Sequence, residues 1–96
     1  KQLDAANQLS LLLVTTSDAA LRSPTEALAL SDRLCRITQN KNPEFLDTLS
    51  IAYAANNNFK AAATAAQQAL EIWEKSSKPE ATAATRSRLT LYTDKQ

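Results

Sequence analysis

The chain has 96 residues, a net charge of +1, no histidine and one cysteine, Cys35. This length suits one domain with a modest core, and so small a net charge argues against wholesale binding to nucleic acid or to membrane surfaces. A single cysteine without histidine predicts neither an internal disulfide nor a transition-metal site, and the longest apolar run, Leu11 to Val14, is far too short to cross a bilayer.

A first helix is predicted from about Leu3 to Thr16, because apolar residues recur there at helical spacing. The residues expected to face the core are Ala6, Leu9, Leu12 and Leu13. Leu11 and Val14 extend the apolar run beyond that face. Either they are partly exposed without a further role, or they form an end face that docks a preceding domain, a preceding repeat or a second copy of the chain.

A second helix begins at Ser23-Pro24-Thr25-Glu26, where serine can cap, proline suits the first turn and glutamate can complete a capping box. The helix is expected to end near Gln39 and Asn40. The residues expected to be buried are Ala27, Leu30, Leu34 and Ile37. Cys35 lies in the same stripe, so it is predicted to be a buried small hydrophobic residue and not a reactive thiol.

A third helix is predicted from about Pro43 to Ala55, with Asn42 as its cap. Its core stripe is expected to contain Leu46, Leu49, Ser50 and Tyr53. The three asparagines at 56–58 then predict a turn. Asparagine tolerates the left-handed backbone conformation, and the chain has no glycine to supply it.

A fourth helix, capped by Asn58, is predicted from Phe59 to about Lys75. Its apolar stripe is the most regular in the chain and contains Phe59, Ala62, Ala63, Ala66, Ala69, Leu70 and Trp73. A fifth helix begins at Lys78-Pro79-Glu80 and runs to about Tyr92. The residues expected to face inward on it are Ala81, Ala84, Leu91 and Tyr92. Trp73 and Tyr92 are interpreted as core residues that pack together, and no segment has the alternating pattern of a strand.

The chain contains an internal repeat. Leu9-Ser10 aligns with Leu49-Ser50 on the first helix of each unit, and on the second helices the aligned pairs are Ala27 with Ala62 and Ser31 with Ala66. The two offsets differ because the first unit has a longer connection between its helices, where an insertion costs little. Two helix–turn–helix units and one closing helix are therefore predicted.

At these positions the chain resembles the tetratricopeptide repeat (TPR) family. The residues that match its pattern are Leu46, Leu49, Ser50, Tyr53, Phe59, Ala62, Ala66 and Ala69. The chain departs from the pattern at Asn57, where the family has a turn glycine, at Glu74, where it has a proline, and near Pro24, where an aromatic residue is usual. A generic five-helix bundle is the alternative interpretation.

The resemblance implies an all-α fold, a right-handed TPR-like α-α superhelix of two helix–turn–helix repeats plus a C-terminal capping helix. Residues 1–96 would form one domain, with the first repeat at 3–39, the second at 43–76 and the cap at 79–93. Residues 43–70 are also similar to TPR segments at the ends of larger bacterial proteins. The chain is accordingly expected to be a soluble segment of such a protein, in the cytoplasm or the periplasm.

TPR modules bind proteins or peptides, so the resemblance implies an interaction scaffold. In such stacks the first helix of each unit lines a groove, and the corresponding residues here are Asp4, Asn7, Leu11, Glu44, Asp47, Thr48 and Ile51. Each of them has an ordinary alternative as part of a solvated helix face, with acidic residues near helix N-termini. Capture of a free carboxylate in this groove is not expected, because Asp47 would repel it.

Other functions are less favoured by the sequence. No catalytic constellation, glycine-rich phosphate loop or cofactor motif is present, so no catalytic residue, cofactor or metal is predicted. A domain-docking or homodimerisation element without a separate ligand remains an alternative. A nucleic-acid-binding domain is a weaker one, because the cations of the C-terminal segment lack interleaved aromatics and are typical of a solvated face. These cations are Lys75, Lys78, Arg86, Arg88 and Lys95.

Overall fold

The structure, a computed structural model, describes residues 2–96. These residues form five α-helices and no strand, so the all-α prediction is confirmed. The helices are α1 (Gln2–Thr15), α2 (Pro24–Ile37), α3 (Pro43–Ala55), α4 (Phe59–Glu74) and α5 (Pro79–Asp94). Each helix packs against the next one in the chain, and α1 also packs against α3, which places α3 at the centre of the molecule.

Three helices begin with the predicted side-chain caps. Ser23 accepts a hydrogen bond from the N–H of Glu26 at 3.3 Å, and Asn42 Oδ1 accepts one from the N–H of Glu44 at 2.9 Å. Asn58 Oδ1 accepts one from the N–H of Ala61 at 3.2 Å. The second half of the predicted capping box at α2 does not form, because the N–H of Ser23 donates to the carbonyl of Leu13 instead, at 2.8 Å.

The connections between helices use the left-handed backbone region without glycine. Asn57 has φ of 63°, which confirms the predicted asparagine turn between α3 and α4. Gln39, Asn40 and Ser77 also have positive φ, at the ends of α2 and α4. These residues follow the ends of α2, α3 and α4, at positions where glycine is the commonest residue in other proteins.

The apolar stripe predicted for α4 contributes buried residues to two clusters of the core. All its members except the half-buried Phe59 are buried, namely Ala62, Ala63, Ala66, Ala69, Leu70 and Trp73. Leu46 and Leu49 of α3 are buried against it, while Tyr53 is half-buried. The small side chains of α4 allow α3 and α5 to approach it closely on two sides.

The predicted burial of Cys35 is confirmed. Its side chain is 2% exposed and packs in the cluster that joins α2, α3 and α4. Burial raises the pKa of the Cys35 thiol from 9.0 to about 11, and the nearby carboxylate of Asp32 acts in the same direction. The thiolate is therefore scarce at neutral pH, which agrees with a packing residue and not a reactive thiol.

The predicted inward face of α1 is wrong. Leu9 and Leu12 are 50% and 53% exposed, while Ala6 and Leu13 are half-buried and the buried residues are Asn7, Ser10 and Val14. Ser10 Oγ donates to the carbonyl of Ala27 at 2.9 Å and also lies against the hydroxyl of Ser31. These contacts turn the small residues of α1 toward α2, so the larger leucines are carried to the outside.

Two further helix faces differ from prediction. Ile37 is 57% exposed at the end of α2, where Leu34 and Cys35 fill the inward positions and Leu30 is half-buried. On α5, Ala84 and Leu91 are exposed and Thr85 is buried in their place, because its hydroxyl binds a carboxylate on α3.

Trp73 and Tyr92 do not form the expected pair. Trp73 belongs to the core cluster of α2, α3 and α4, whereas Tyr92 packs against Ala62, Ala63 and Ala66 in a second cluster. The two aromatic residues therefore fill different parts of the core.

Candidate partner-binding site

The residues predicted to line a groove differ widely in exposure. Asp4 and Glu44 are exposed, and Leu11 and Ile51 are half-buried. The other three are buried: Asn7 is 4% exposed, Asp47 9% and Thr48 2%. The seven residues therefore do not form one continuous open surface, and only the exposed and half-buried members are available to a ligand.

Asp47 is buried because three side chains bind its carboxylate. Trp73 Nε1 of α4 donates to Asp47 Oδ2 at 2.8 Å, and Thr85 Oγ1 of α5 donates to Oδ1 at 2.9 Å. Arg88 Nη2, also on α5, lies 3.2 Å from Oδ1. This cluster, which we call the Asp47 cluster, joins α3, α4 and α5. A carboxylate that is only 9% exposed and is already bound by three side chains is not open to a ligand.

Asn7 occupies the position on α1 that aligns with Asp47 on α3, but its surroundings are different. Its Oδ1 atom is buried and accepts no hydrogen bond within residues 2–96. A buried amide oxygen without a donor lowers stability, since it has lost its hydrogen bonds to water. Asn7 is therefore a weak point of the core and is not open to a ligand.

The apolar end face of α1 exists, but with other residues than those predicted. Val14 is only 7% exposed and packs with Ala27 and Ala52, and Leu11 is half-buried. Leu9 and Leu12, which were predicted to face the core, are the exposed leucines of this helix. Burial of Val14 between α2 and α3 thus removes it from any docking surface.

A cleft of about 530 Å³ lies between α2, α3 and α4. Its apolar lining comes from Leu49 and Tyr53 of α3 and from Ala61 and Ala65 of α4. Small side chains on α4 leave this space open beside α2. The polar residues that line it are Asp32, Asn40, Asn58, Lys60, Thr64 and Gln68.

Two charged residues line the cleft, and only one of them already forms an ion pair. Asp32 Oδ2 is already 2.9 Å from Arg36 Nε, whereas Lys60 forms no ion pair with any residue of the described chain. The open charge at this cleft is therefore positive. None of the residues that line the cleft was predicted to bind a partner, because the cleft depends on the distance between α2 and α4, and no sequence pattern indicates that distance.

The cations of the C-terminal segment are largely engaged within the fold. Arg86 Nη2 lies 3.0 Å from Glu74 Oε2, and Arg88 is bound to Asp47. Lys95 Nζ lies 5.4 Å from the centroid of the Phe59 ring, within range of a cation–π contact. These contacts leave Lys75 and Lys78 as the segment's cations without such a partner in residues 2–96, which is a small basis for nucleic-acid binding.

Residues 2–96 contain no helix with the length and apolar character needed to span a membrane. The same residues bring together no group of three or more histidine, cysteine or acidic side chains that could hold a metal ion.

No protein-family model, no curated protein and no solved structure matches this chain. The case for its function therefore rests on its residues and their geometry.

Proposed function

We propose that the chain is a TPR-like interaction module that binds a peptide segment of another protein. The sequence contains no histidine and no catalytic motif, so we propose binding and not catalysis.

Burial at the aligned positions supports the repeat architecture. In both halves the aligned small residues are fully buried, at 0% exposure: Ser10 and Ser50, Ala27 and Ala62, Ser31 and Ala66. Two hairpins whose smallest side chains occupy equivalent buried positions are expected of a repeated helix–turn–helix unit, in which close approach of the backbones requires small residues. The first helices of the two units lie further apart in the sequence than the second helices do, and the longer connection after α1 accounts for this difference.

The observation that carries the proposed peptide site is the cleft of about 530 Å³ between α2, α3 and α4. Its volume is in the range of known ligand sites, and its lining combines four apolar residues with six polar ones. The groove suggested by the resemblance is a poorer candidate, because Asn7, Asp47 and Thr48 are buried.

The chemistry of the cleft indicates the kind of peptide. Tyr53 and Ala61, which are both half-buried, offer an apolar surface for one side chain, and the amides of Asn40 and Gln68 can bind a peptide backbone. Lys60 adds a positive charge at the edge. We therefore expect an extended segment with an apolar residue next to an acidic one.

A selection from a phage-displayed library of random peptides tests this proposal. Selected peptides are expected to combine an apolar and an acidic residue and to bind less well to Ala61→Leu, which fills the cleft, and to Lys60→Glu, which reverses its charge. Ala83→Leu and Lys75→Glu are the matched controls, since both residues are exposed and lie outside the cleft. Binding that is unchanged in both cleft variants would refute this site.

The variant Ile51→Glu separates the cleft from the predicted groove. Ile51 is half-buried on α3 and does not line the cleft. Loss of peptide binding in this variant alone, with the fold retained by circular dichroism, would favour the groove over the cleft.

A further inference from the structure

The hairpin formed by α1 and α2 has an exposed apolar surface that the packing of the domain does not use. Leu9, Leu12 and Ile37 are 50%, 53% and 57% exposed. They are three of the five large hydrophobic side chains exposed in residues 2–96; Leu21 lies in the connection between the same two helices, and Leu91 lies on α5. The apolar exposure of this protein is thus concentrated on its first hairpin.

On α1, the exposed leucines face away from the rest of the domain. Val14 packs against Ala52 of α3 and so marks the side of α1 that faces the domain. Leu9 and Leu12 lie roughly 140° to 160° round the helix from Val14, since each residue advances the helix by about 100°. They belong to a strip that contains Ala5, Leu9 and Leu12 and continues to Thr16, a half-buried residue directly after the helix.

On α2, Ile37 faces in the same direction. Cys35 packs into the cluster with α3 and α4, and Ile37 lies roughly 160° round the helix from it. The strip of α2 on this side contains Glu26, Leu30, Arg33 and Ile37. We call the two strips together the end surface of the hairpin.

We infer that the end surface binds a second copy of this chain about a two-fold axis that runs perpendicular to α1 and α2. The α1 strip is uncharged, and its residues follow the spacing of a heptad seam, with two leucines in the middle and a small residue at each end. Reversing the direction of the helix leaves this pattern unchanged. In an antiparallel pair Leu9 therefore meets Leu12 of the second copy, and Ala5 meets its Thr16.

The hydrogen bonds of Ser10 fix the height of α2 relative to α1. Ser10 Oγ binds both the carbonyl of Ala27 and the hydroxyl of Ser31. The midpoint between Leu9 and Leu12 is thus level with α2 midway between Ala27 and Ser31. A two-fold axis through that point therefore pairs α1 with α1 of the second copy and α2 with α2 of the second copy.

The same axis brings opposite charges together on α2. Glu26 and Arg33 lie on either side of the axis at nearly equal distances along the helix. Both are exposed, and neither forms an ion pair within residues 2–96. Rotation about the axis places Glu26 opposite Arg33 of the second copy, twice in the dimer. Such complementarity favours this partner over an unrelated apolar surface.

A head-to-tail contact fits less well. At the other end of the domain α5 exposes one large apolar residue, Leu91, among polar neighbours such as Ser87 and Thr90. Two end surfaces, by contrast, offer each other the same three apolar side chains, and a contact between identical surfaces closes at two copies.

Sedimentation velocity over a range of about 5 to 500 µM tests the inference, because a dimer forms by mass action. We expect a concentration-dependent shift from monomer to dimer and no larger species. A chain that stays monomeric over the whole range would overturn the inference, as would growth beyond the dimer.

Two matched variants locate the contact. Leu12→Glu is expected to raise the dimer Kd at least about tenfold, because it places a charge in the apolar contact. Leu91→Glu changes a residue of nearly equal exposure, 51% against 53%, and is expected to leave the Kd unchanged. An equal effect of both variants would point to a head-to-tail contact and overturn the two-fold arrangement.

A charge swap tests the register. Glu26→Arg is expected to weaken the dimer, since arginine would then face arginine, and the double variant Glu26→Arg with Arg33→Glu is expected to restore it. Circular dichroism of each variant at low concentration establishes that the monomer is folded. If the double variant stays as weak as the single one, Glu26 and Arg33 do not meet and the proposed axis is wrong.

Discussion

Thr85 and Asp47 connect the last helix to the central one: Thr85 Oγ1 on α5 donates to Asp47 Oδ1 on α3 at 2.9 Å, and Thr85 is fully buried. Trp73 Nε1 completes the contact from α4 at 2.8 Å. Three consecutive helices are thus held by one carboxylate. The apolar pattern of α5 is weak, and this polar contact explains which of its faces is turned inward.

We expect Asp47→Ala to destabilise the protein by roughly 3 kcal/mol, because it leaves buried donors from Trp73 and Thr85 without an acceptor and Arg88 without its counter-charge. Urea unfolding monitored by tryptophan fluorescence measures this directly. Glu74→Ala is the control, since its ion pair with Arg86 is exposed and is worth less than about 1 kcal/mol. A similar loss in both variants would contradict the role given to the Asp47 cluster.

Thr85→Val is expected to cost about 1 kcal/mol, since the shape of the side chain is kept and Asp47 retains its other two partners. Combined with Asp47→Ala in a double-mutant cycle, it should show a coupling of more than about 0.5 kcal/mol. Strict additivity of the two changes would mean that the hydrogen bond contributes nothing to stability.

The sequence predicted the helices well but not all their faces. Caps at Ser23, Asn42 and Asn58 are local signals, read within three residues of a helix start, and all three formed. The alanine stripe of α4 was also predicted, because a helix that packs between two neighbours, here α3 and α5, buries a whole face and shows it as a regular apolar spacing. Where a side-chain cap and a regular apolar stripe predict the same helix, the prediction depends little on residues that are distant in the sequence.

The inward face of α1 was missed because a distant contact decides it. Ser10 packs against Ala27 and Ser31, and backbone approach at such a crossing favours small residues over leucine. Apolar periodicity predicts that leucine faces the core in preference to serine, and it therefore indicated the wrong face of α1. The burial of Asp47 was missed for a similar reason. Its partners, Trp73, Thr85 and Arg88, are distant in the sequence, and no sequence motif links them to Asp47.

A pair of substitutions at adjacent positions tests this explanation for α1. Ser10→Leu is expected to cost roughly 3 kcal/mol by overpacking the crossing with α2, whereas Leu9→Ser should change the free energy of unfolding by less than about 0.5 kcal/mol. Unfolding is measured at low protein concentration, so that self-association does not contribute. A larger cost for Leu9→Ser than for Ser10→Leu would show that the face is assigned wrongly.

Stability is expected to fall in alkaline solution through Cys35. Because burial raises the pKa of this thiol from 9.0 to about 11 in the folded protein, the unfolded chain loses its proton first, and stability declines as the pH rises between these values. At pH 10 the loss amounts to about 1.4 kcal/mol. Burial also raises the pKa of Tyr92, with Ser50 and Arg88 acting against it, so some decline remains above pH 10 from this residue.

Cys35→Ala provides the control for the alkaline effect. The variant is less stable at every pH because it leaves a cavity, but its stability should vary less between pH 8 and pH 10 than that of the parent chain. Urea unfolding at the two pH values measures the difference. An equal decline in both proteins would assign the alkaline effect to other groups.

Asn7 offers the opposite case, a substitution that should stabilise the protein. Its Oδ1 atom is buried without a donor in residues 2–96, so Asn7→Leu removes an unsatisfied polar group while it keeps the branching and the number of heavy atoms of the side chain, and we expect a gain of about 1 kcal/mol. Asn56→Leu is the matched control, because Asn56 Nδ2 donates to the carbonyls of Pro24 at 3.0 Å and Ala52 at 2.8 Å. That change removes two satisfied hydrogen bonds and should destabilise by roughly 1 to 2 kcal/mol. Thermal unfolding of the two variants beside the parent chain distinguishes them, and a loss of stability in Asn7→Leu would mean that its amide has a partner, such as an ordered water, within the fold.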